Sequence, residues 1–160
     1  MERISAHPGP FLAGWSWHGS CSGDGMMEGM FSRGAIPVLD CLMQFAGARH
    51  RVIAANVANV DTAGYRALDL PVAGFEQALA KAYAGQKASP TGLFRMPGPE
   101  RFEPRPADES GTLKGGGNNV DLDLEMARMV RNQSLHATAA ALLAQQFSLL
   151  REAISGRVSA

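Results

Sequence analysis

Cysteine is nearly absent from this 160-residue chain: Cys21 and Cys41 are the whole complement. Two are too few for a disulfide framework, and neither has metal-ligand spacing to a histidine. No apolar run approaches the roughly 18–20 residues that a membrane-spanning helix needs. Charge of one sign is missing as well, since 15 Lys and Arg balance 15 Asp and Glu. Without a basic stripe, nucleic acid finds no electrostatic footprint. Aromatic residues are only 7% of the chain, while alanine is plentiful, which favours close helix packing over a thick interior. The start, Met1-Glu2-Arg3-Ile4 to Gly14-Trp15, lacks a basic region followed by an apolar stretch and a small-residue cleavage site. His18-Gly19-Ser20-Cys21 is a poor lipoprotein box, with His18 where an aliphatic residue belongs. No ordinary secretion route is expected.

What the chain does have is two apolar-periodic helical segments at opposite ends, roughly 36–60 and 121–155. In the first, Leu39, Leu42, Met43, Ala46, Ile53, Val57 and Val60 recur at spacings of three and four, the signature of one helix face. Pro37 fits the first turn, where its missing N–H is not needed. Asp61, Thr62 and Gly64 are turn formers, with Gly64 able to take positive φ at the exit. In the second segment, Asp121 is a good N-cap, and Asp123 and Glu125 complement the helix dipole. No Gly or Pro interrupts it before Gly156. Leu122, Met126, Met129, Gln133, His136, Ala140, Leu143, Phe147, Leu150 and Ile154 trace a heptad-like seam, and Leu135, Leu142 and Leu149 a second stripe. A helix apolar on more than one face must be covered on more than one side.

The pattern divides the chain into four stretches. Residues 1–29, rich in Gly, Ser and Pro, are expected to be a disordered extension or a mis-assigned start, with Met26, Met27 or Met30 as the true first residue. Residues 30–66 hold the first helix and its exit turn. Residues 67–118 hold a short helix over Val72–Ala84, closed by Gly85, and then a loop region. A hairpin around Phe94 and Phe102 is the one regular element expected there, because 86–118 carries five prolines and a Gly115-Gly116-Gly117 run. Residues 119–160 hold the second helix. The fold class is therefore mainly α: long N- and C-terminal helices packed as an antiparallel, coiled-coil-like bundle around a Gly/Pro-rich, largely irregular middle.

No catalytic constellation emerges. Asp121, Asp123 and Glu125 alternate on a helix and point different ways, so capping explains them better than metal binding. The Gly115–Gly117 run with its two following asparagines lacks the Lys-Ser/Thr of a phosphate loop and reads as a flexible joint. His7, His18, His50 and His136 share no ligand spacing, and Met126 and Met129 read as packing. No enzyme, cofactor or metal is expected. Asn56 and Asn59 are the odd pair: three apart, they share a face late in an apolar helix. They are either the fraying polar end of that helix or amides that fix register against a packed partner.

Ala55-Asn56-Val57-Ala58-Asn59-Val60-Asp61-Thr62-Ala63-Gly64-Tyr65-Arg66-Ala67 resembles the signature of the bacterial flagellar rod and hook family, usually written ANxANxxTPGYKA. Ala63 replaces the usual Pro, which loosens the turn, and Arg66 keeps the charge of the usual Lys. Asn119-Val120-Asp121-Leu122-Asp123, Glu125, Met126, Asn132 and Leu150-Arg151-Glu152-Ala153-Ile154 resemble the family's proximal rod members, with His136 where those often have Tyr. The resemblance spans about residues 30–155. It implies a structural subunit of the basal-body rod in the periplasm, exported unfolded through the flagellar type III apparatus without a cleaved signal. It also implies self-association, neighbours of the FlgC and FlgF types, and the adaptor FliE.

By that resemblance Asn56, Asn59, Asp61, Thr62, Gly64, Tyr65, Asp121, Asp123, Glu125 and Asn132 are the assembly and signature residues. Leu42, Ile53, Met126, Leu143, Phe147, Leu150 and Ile154 are the expected helix-packing residues, and Leu42, Ile53, Leu143, Phe147 and Leu150 are expected to be buried in the assembled tube. A different class, a cytoplasmic coiled-coil adaptor or chaperone-like interaction protein, would share the helices but not the signature's role.

Overall fold

The computed structural model describes residues 34–88, 102–107 and 111–156. The expected N-terminal extension 1–29, the alternative starts Met26, Met27 and Met30, and Phe94 of the expected hairpin lie outside the described residues. The element order is α1 (Ile36–Ala58), β1 (Leu68–Asp69), α2 (Val72–Ala88), β2 (Arg105–Pro106) and α3 (Leu122–Ser155). The chain is mainly helical, with long first and last helices.

Pro37 lies in the first turn of α1, which has no side-chain cap. Asp121 caps α3, its carboxylate accepting from the N–H groups of Asp123 at 3.0 Å and Leu124 at 3.4 Å. Gly64 and Gly156 both take positive φ, 74° and 66°, where a Cβ would be strained. At α2 the structure corrects the expected stop: the helix runs through Gly85 to Ala88. Tertiary contacts outweigh the glycine, whose helix penalty is only about 1 kcal/mol. Ala82 packs with buried Cys41, and the buried Gln86 amide donates to the Gly34 carbonyl at 3.4 Å.

The middle of the chain contributes more core than its composition promises. Phe45 of α1 stacks on Phe75 of α2, centroids 3.9 Å apart, and Phe102 meets both edge-on at 5.9 and 5.3 Å. Val52 and Leu70 complete this buried cluster, with Leu42 packed against it. Three aromatic rings thus supply a large apolar payload from few residues. The described regular element near Phe102 is also not a tight hairpin. β2 pairs antiparallel with the distant β1, Leu68 opposite Pro106 and Asp69 opposite Arg105. A two-bonded Arg49–Asp69 ion pair, at 2.8 and 2.6 Å, ties β1 to α1.

α1 and α3 pack along each other. Asn56 meets Glu125, and ten residues back along α1 the Ala46 carbonyl meets Asn132, so the two helices run antiparallel. With 23 residues in α1 and 34 in α3, and about 1.5 Å of rise per residue, the start of α1 falls level with about residue 142. The rest of α3 extends past it.

Candidate functional site

The end of α1 and the start of α3 are joined by a polar clasp with Asn56 at its centre. Asn56 is completely buried, and both donors and both acceptor positions of its amide are used. Nδ2 donates to the Leu68 carbonyl at 2.7 Å and to Glu125 Oε2 at 3.1 Å. Oδ1 accepts from the Leu68 N–H and the Tyr65 hydroxyl, each at 3.1 Å. The side chain therefore pairs with Leu68 as a second peptide would, turning the chain back along α1. A carboxylate there would face the Leu68 carbonyl and Glu125 without a donor.

Glu125 is 1% exposed, a costly place for a charge. Arg128 offsets it, Nη1 donating to Oε1 at 2.7 Å, and the α3 N-terminus adds its positive dipole end. Burial raises the Tyr65 hydroxyl above its ordinary value, with the nearby Glu125 charge adding to the rise. Tyr65 therefore stays protonated and donates.

A second layer comes from the segment before α3. Asn118 Nδ2 donates to three carbonyls, Asn59 at 2.8 Å, Val60 at 3.1 Å and Thr62 at 2.8 Å. Its Oδ1 accepts from the Val120 N–H at 2.7 Å. Asn119 Oδ1 accepts from the Ala67 N–H at 2.8 Å, and the Gly64 N–H donates to the Gly116 carbonyl at 2.8 Å. The expected flexible joint at Gly115–Gly117 is instead a hydrogen-bonded turn. Gly117 donates to the Lys114 carbonyl and Lys114 to that of Asn118, with Gly117 at φ 79°.

The structure separates the paired asparagines of the signature. Asn56 bridges to α3, whereas Asn59 serves its own helix end: Nδ2 donates to the Ala55 carbonyl at 2.8 Å and Oδ1 accepts from Thr62 Oγ1 at 3.1 Å. Asp61, Thr62 and Gly64 are exposed on the turn, as are Asp121 and Asp123. Glu125 is more than a dipole charge, as its burial shows. Asn132 is 2% exposed, donates to the Ala46 carbonyl at 2.8 Å, and keeps a buried Oδ1 that has no partner among the described residues.

The seam of α3 against α1 differs from the apolar stripe. Its buried members are Glu125, Arg128, Asn132 and Ala139, rotated about one residue from Met126, Met129 and Gln133, or about 100° on a 3.6-residue helix. Polar pairing with α1, not hydrophobicity, sets that rotation. Of the expected packing residues, Ile53 is fully buried, Leu42, Leu143 and Leu150 are half-buried, and Met126, Phe147 and Ile154 are exposed. Leu122, Val130, Leu135, Leu142 and Leu149 are exposed too, so α3 presents apolar side chains on several faces.

Arg128, Asn118 and the aromatic cluster escaped the sequence reading. The signal for Asn118 was available: two asparagines between a glycine run and Val120, which precedes the helix cap Asp121. Among the described residues no group of three or more His, Cys, Asp or Glu could hold a metal, and no helix is long and apolar enough to cross a membrane.

The family model described as flagella basal body rod protein matches residues 45–66, the last part of α1 and the turn closed by the clasp. The flagellar basal body rod protein FlgB of Borrelia hermsii is 33% identical over 110 residues, covering 62% of this chain and 79% of the relative. That of Borreliella burgdorferi is 28% identical over 99 residues, covering 55% and 71%. The matched signature is the stretch whose carbonyls and amides the clasp engages, and the chain belongs to the flagellar basal body rod family as a FlgB-type structural subunit.

Proposed function

We propose that the chain builds the proximal rod by burying the outer faces of α3 against neighbouring subunits, copies of itself and relatives of the FlgC and FlgF types. The carrying observation is that eight large apolar side chains of α3 are exposed, from Leu135 at 39% to Ile154 at 79%. A helix of this kind gains burial only from a neighbour, at about 25 cal/mol per Å² of apolar surface. The antiparallel α1–α3 pair is then the unit that bundles into a coiled-coil-like axial tube. The adaptor FliE and the type III export apparatus are its partners at the membrane-proximal end, and the rod lies in the periplasm after export without a cleaved signal.

Deleting the gene tests this reading: cells are expected to be non-motile and to lack assembled rods and hooks. Intact filaments in the deletion strain would overturn it and favour the cytoplasmic adaptor. In the same strain, a gene restarted at Met30 is expected to restore motility as well as the long version does. Loss of function on that trimming would assign a role to residues 1–29.

A further inference from the structure

The family signature does not complete itself. Residues 111–120 supply six hydrogen bonds to residues 59–67: three from Asn118 Nδ2, one from Lys114 Nζ to the Val60 carbonyl at 3.3 Å, and one each to Asn119 Oδ1 and the Gly116 carbonyl. The amide of Asn118 has two N–H groups and three acceptors, so one N–H is shared. The carbonyls of the turn that follows α1, those of Asn59, Val60 and Thr62, are thus collected by one side chain 56 to 59 residues away in sequence.

Apolar burial divides along the same line. Ala67, Ala107 and Val120, with Val60 and Tyr65 against them, form a small cluster separate from that of Phe45, Phe75 and Phe102. Regions with few buried apolar contacts and hydrogen bonds near solvent open at lower free energy than the core.

We infer that Asn118 is a latch: residues 59–67 and 111–120 open and close as one unit, independently of the aromatic cluster, and Asn118 Nδ2 holds that unit shut. The chain order gives the latch a consequence. Whenever the polypeptide is delivered from its N-terminus, the turn after α1 is present but open until Asn118 arrives. The α1–α3 angle is set last.

Native-state hydrogen exchange on the full-length chain tests the latch. In Asn118→Ala, exchange at the amides of Thr62, Gly64, Tyr65, Ala67 and Leu68 is expected to rise about tenfold or more, since each lost bond contributes on the order of a few-fold to tenfold. Amides across 45–53 and 75–82 are expected to keep their wild-type rates. Asn118→Asp keeps the acceptor for the Val120 N–H but loses both donors, and is expected to behave like the alanine variant. Gly117→Ala keeps the amide but strains the turn that aims it, and is expected to open the same amides to a lesser degree. A uniform rise that includes 45–53 would show that Asn118 supports only global stability. Wild-type rates in Asn118→Asp would show that its donors hold nothing shut. Either result overturns the latch and leaves the assignment to the rod untouched.

Discussion

The two halves of α3 are built on different terms. From Leu122 to Ala139 its inward positions are Glu125, Arg128, Asn132 and Ala139, all buried against the same chain. From Ala140 to Ser155 no residue is buried: Leu143 and Leu150 are half-covered, and Phe147, Leu149 and Ile154 lie exposed at 47, 52 and 79%. The first half is polar inside and determined by its own chain. The second is apolar on its exposed faces. Polar pairing fixes angle and register because a misplaced donor or charge costs its full desolvation. Non-directional apolar contact then supplies affinity without dictating geometry. On the proposed reading, specificity within the subunit and adhesion between subunits lie on successive turns of one helix.

The comparison breaks most readily at Glu125. Glu125→Ala removes the carboxylate that Arg128 Nη1 meets at 2.7 Å in a buried seam, and breaking such a buried pair typically costs about 3–5 kcal/mol. Urea unfolding is expected to show that loss in the free chain. A cost under about 1 kcal/mol would mean that the near half is not held by its polar seam.

Asn56→Ala comes next. It strips Leu68 of both its side-chain partners and removes one acceptor from Tyr65 and one donor to Glu125, with an expected cost of about 2–3 kcal/mol. Asn59→Ala, which loses only contacts within its own helix end and the Thr62 hydroxyl, is expected to cost about 1 kcal/mol or less. Equal costs would erase the distinction between the bridging and the local asparagine.

That distinction marks where the sequence stopped being legible. Spacing and caps located α1 and α3 within two residues, because apolar periodicity and Asp121 act locally. The turn at Gly64 followed from φ freedom. Neither the rotation of α3 nor the burial of Glu125 could be read this way. A hydrophobic stripe names the apolar face, and here the face turned inward carries an arginine paired to a glutamate, and a glutamate and an asparagine whose partners on α1 lie 69 and 86 residues away in sequence. The three-ring cluster was hidden for a similar reason: Phe45, Phe75 and Phe102 are isolated in sequence, and only long-range closure brings them together. The resemblance, by contrast, was carried by the contiguous motif Ala55–Ala67 together with matching positions between Asn119 and Ile154.

A smaller effect probes the clasp with pH. The Tyr65 hydroxyl is raised by burial first and by Glu125 second, so the folded chain holds its proton beyond the ordinary value of about 10. Below pH 10 the residue is neutral in both folded and unfolded chains, and its contribution is complete. Above it the unfolded chain ionises first, and the contribution falls until the folded chain ionises too. Tyr65→Phe is expected to cost about 0.5–1.5 kcal/mol near neutrality, and the gap between the two proteins is expected to shrink from pH 9.5 upward. Lysine titration is common to both chains and cancels in the difference. A gap that widens with pH would contradict the direction of the shift.

The smallest effect in the free chain is the sharpest test of the distal half. Leu149 is 52% exposed, and alanine and leucine are both strong helix formers. Leu149→Ala is therefore expected to change unfolding stability by less than about 0.5 kcal/mol, the usual range for surface substitutions. Leu142→Ala, at 45% exposure, is expected to behave alike. In cells the same substitutions remove apolar area that neighbours would cover, so the amount of subunit recovered with purified basal bodies is expected to fall while export of the chain persists. The two readings separate what the subunit needs for itself from what it offers to the assembly. A destabilisation above about 1 kcal/mol in a verified monomer would mean that the distal half already packs against its own chain. Normal incorporation of the doubly substituted chain would mean that the stripe through Leu135, Leu142 and Leu149 faces no neighbour, and the contrast between the halves of α3 would carry no functional meaning.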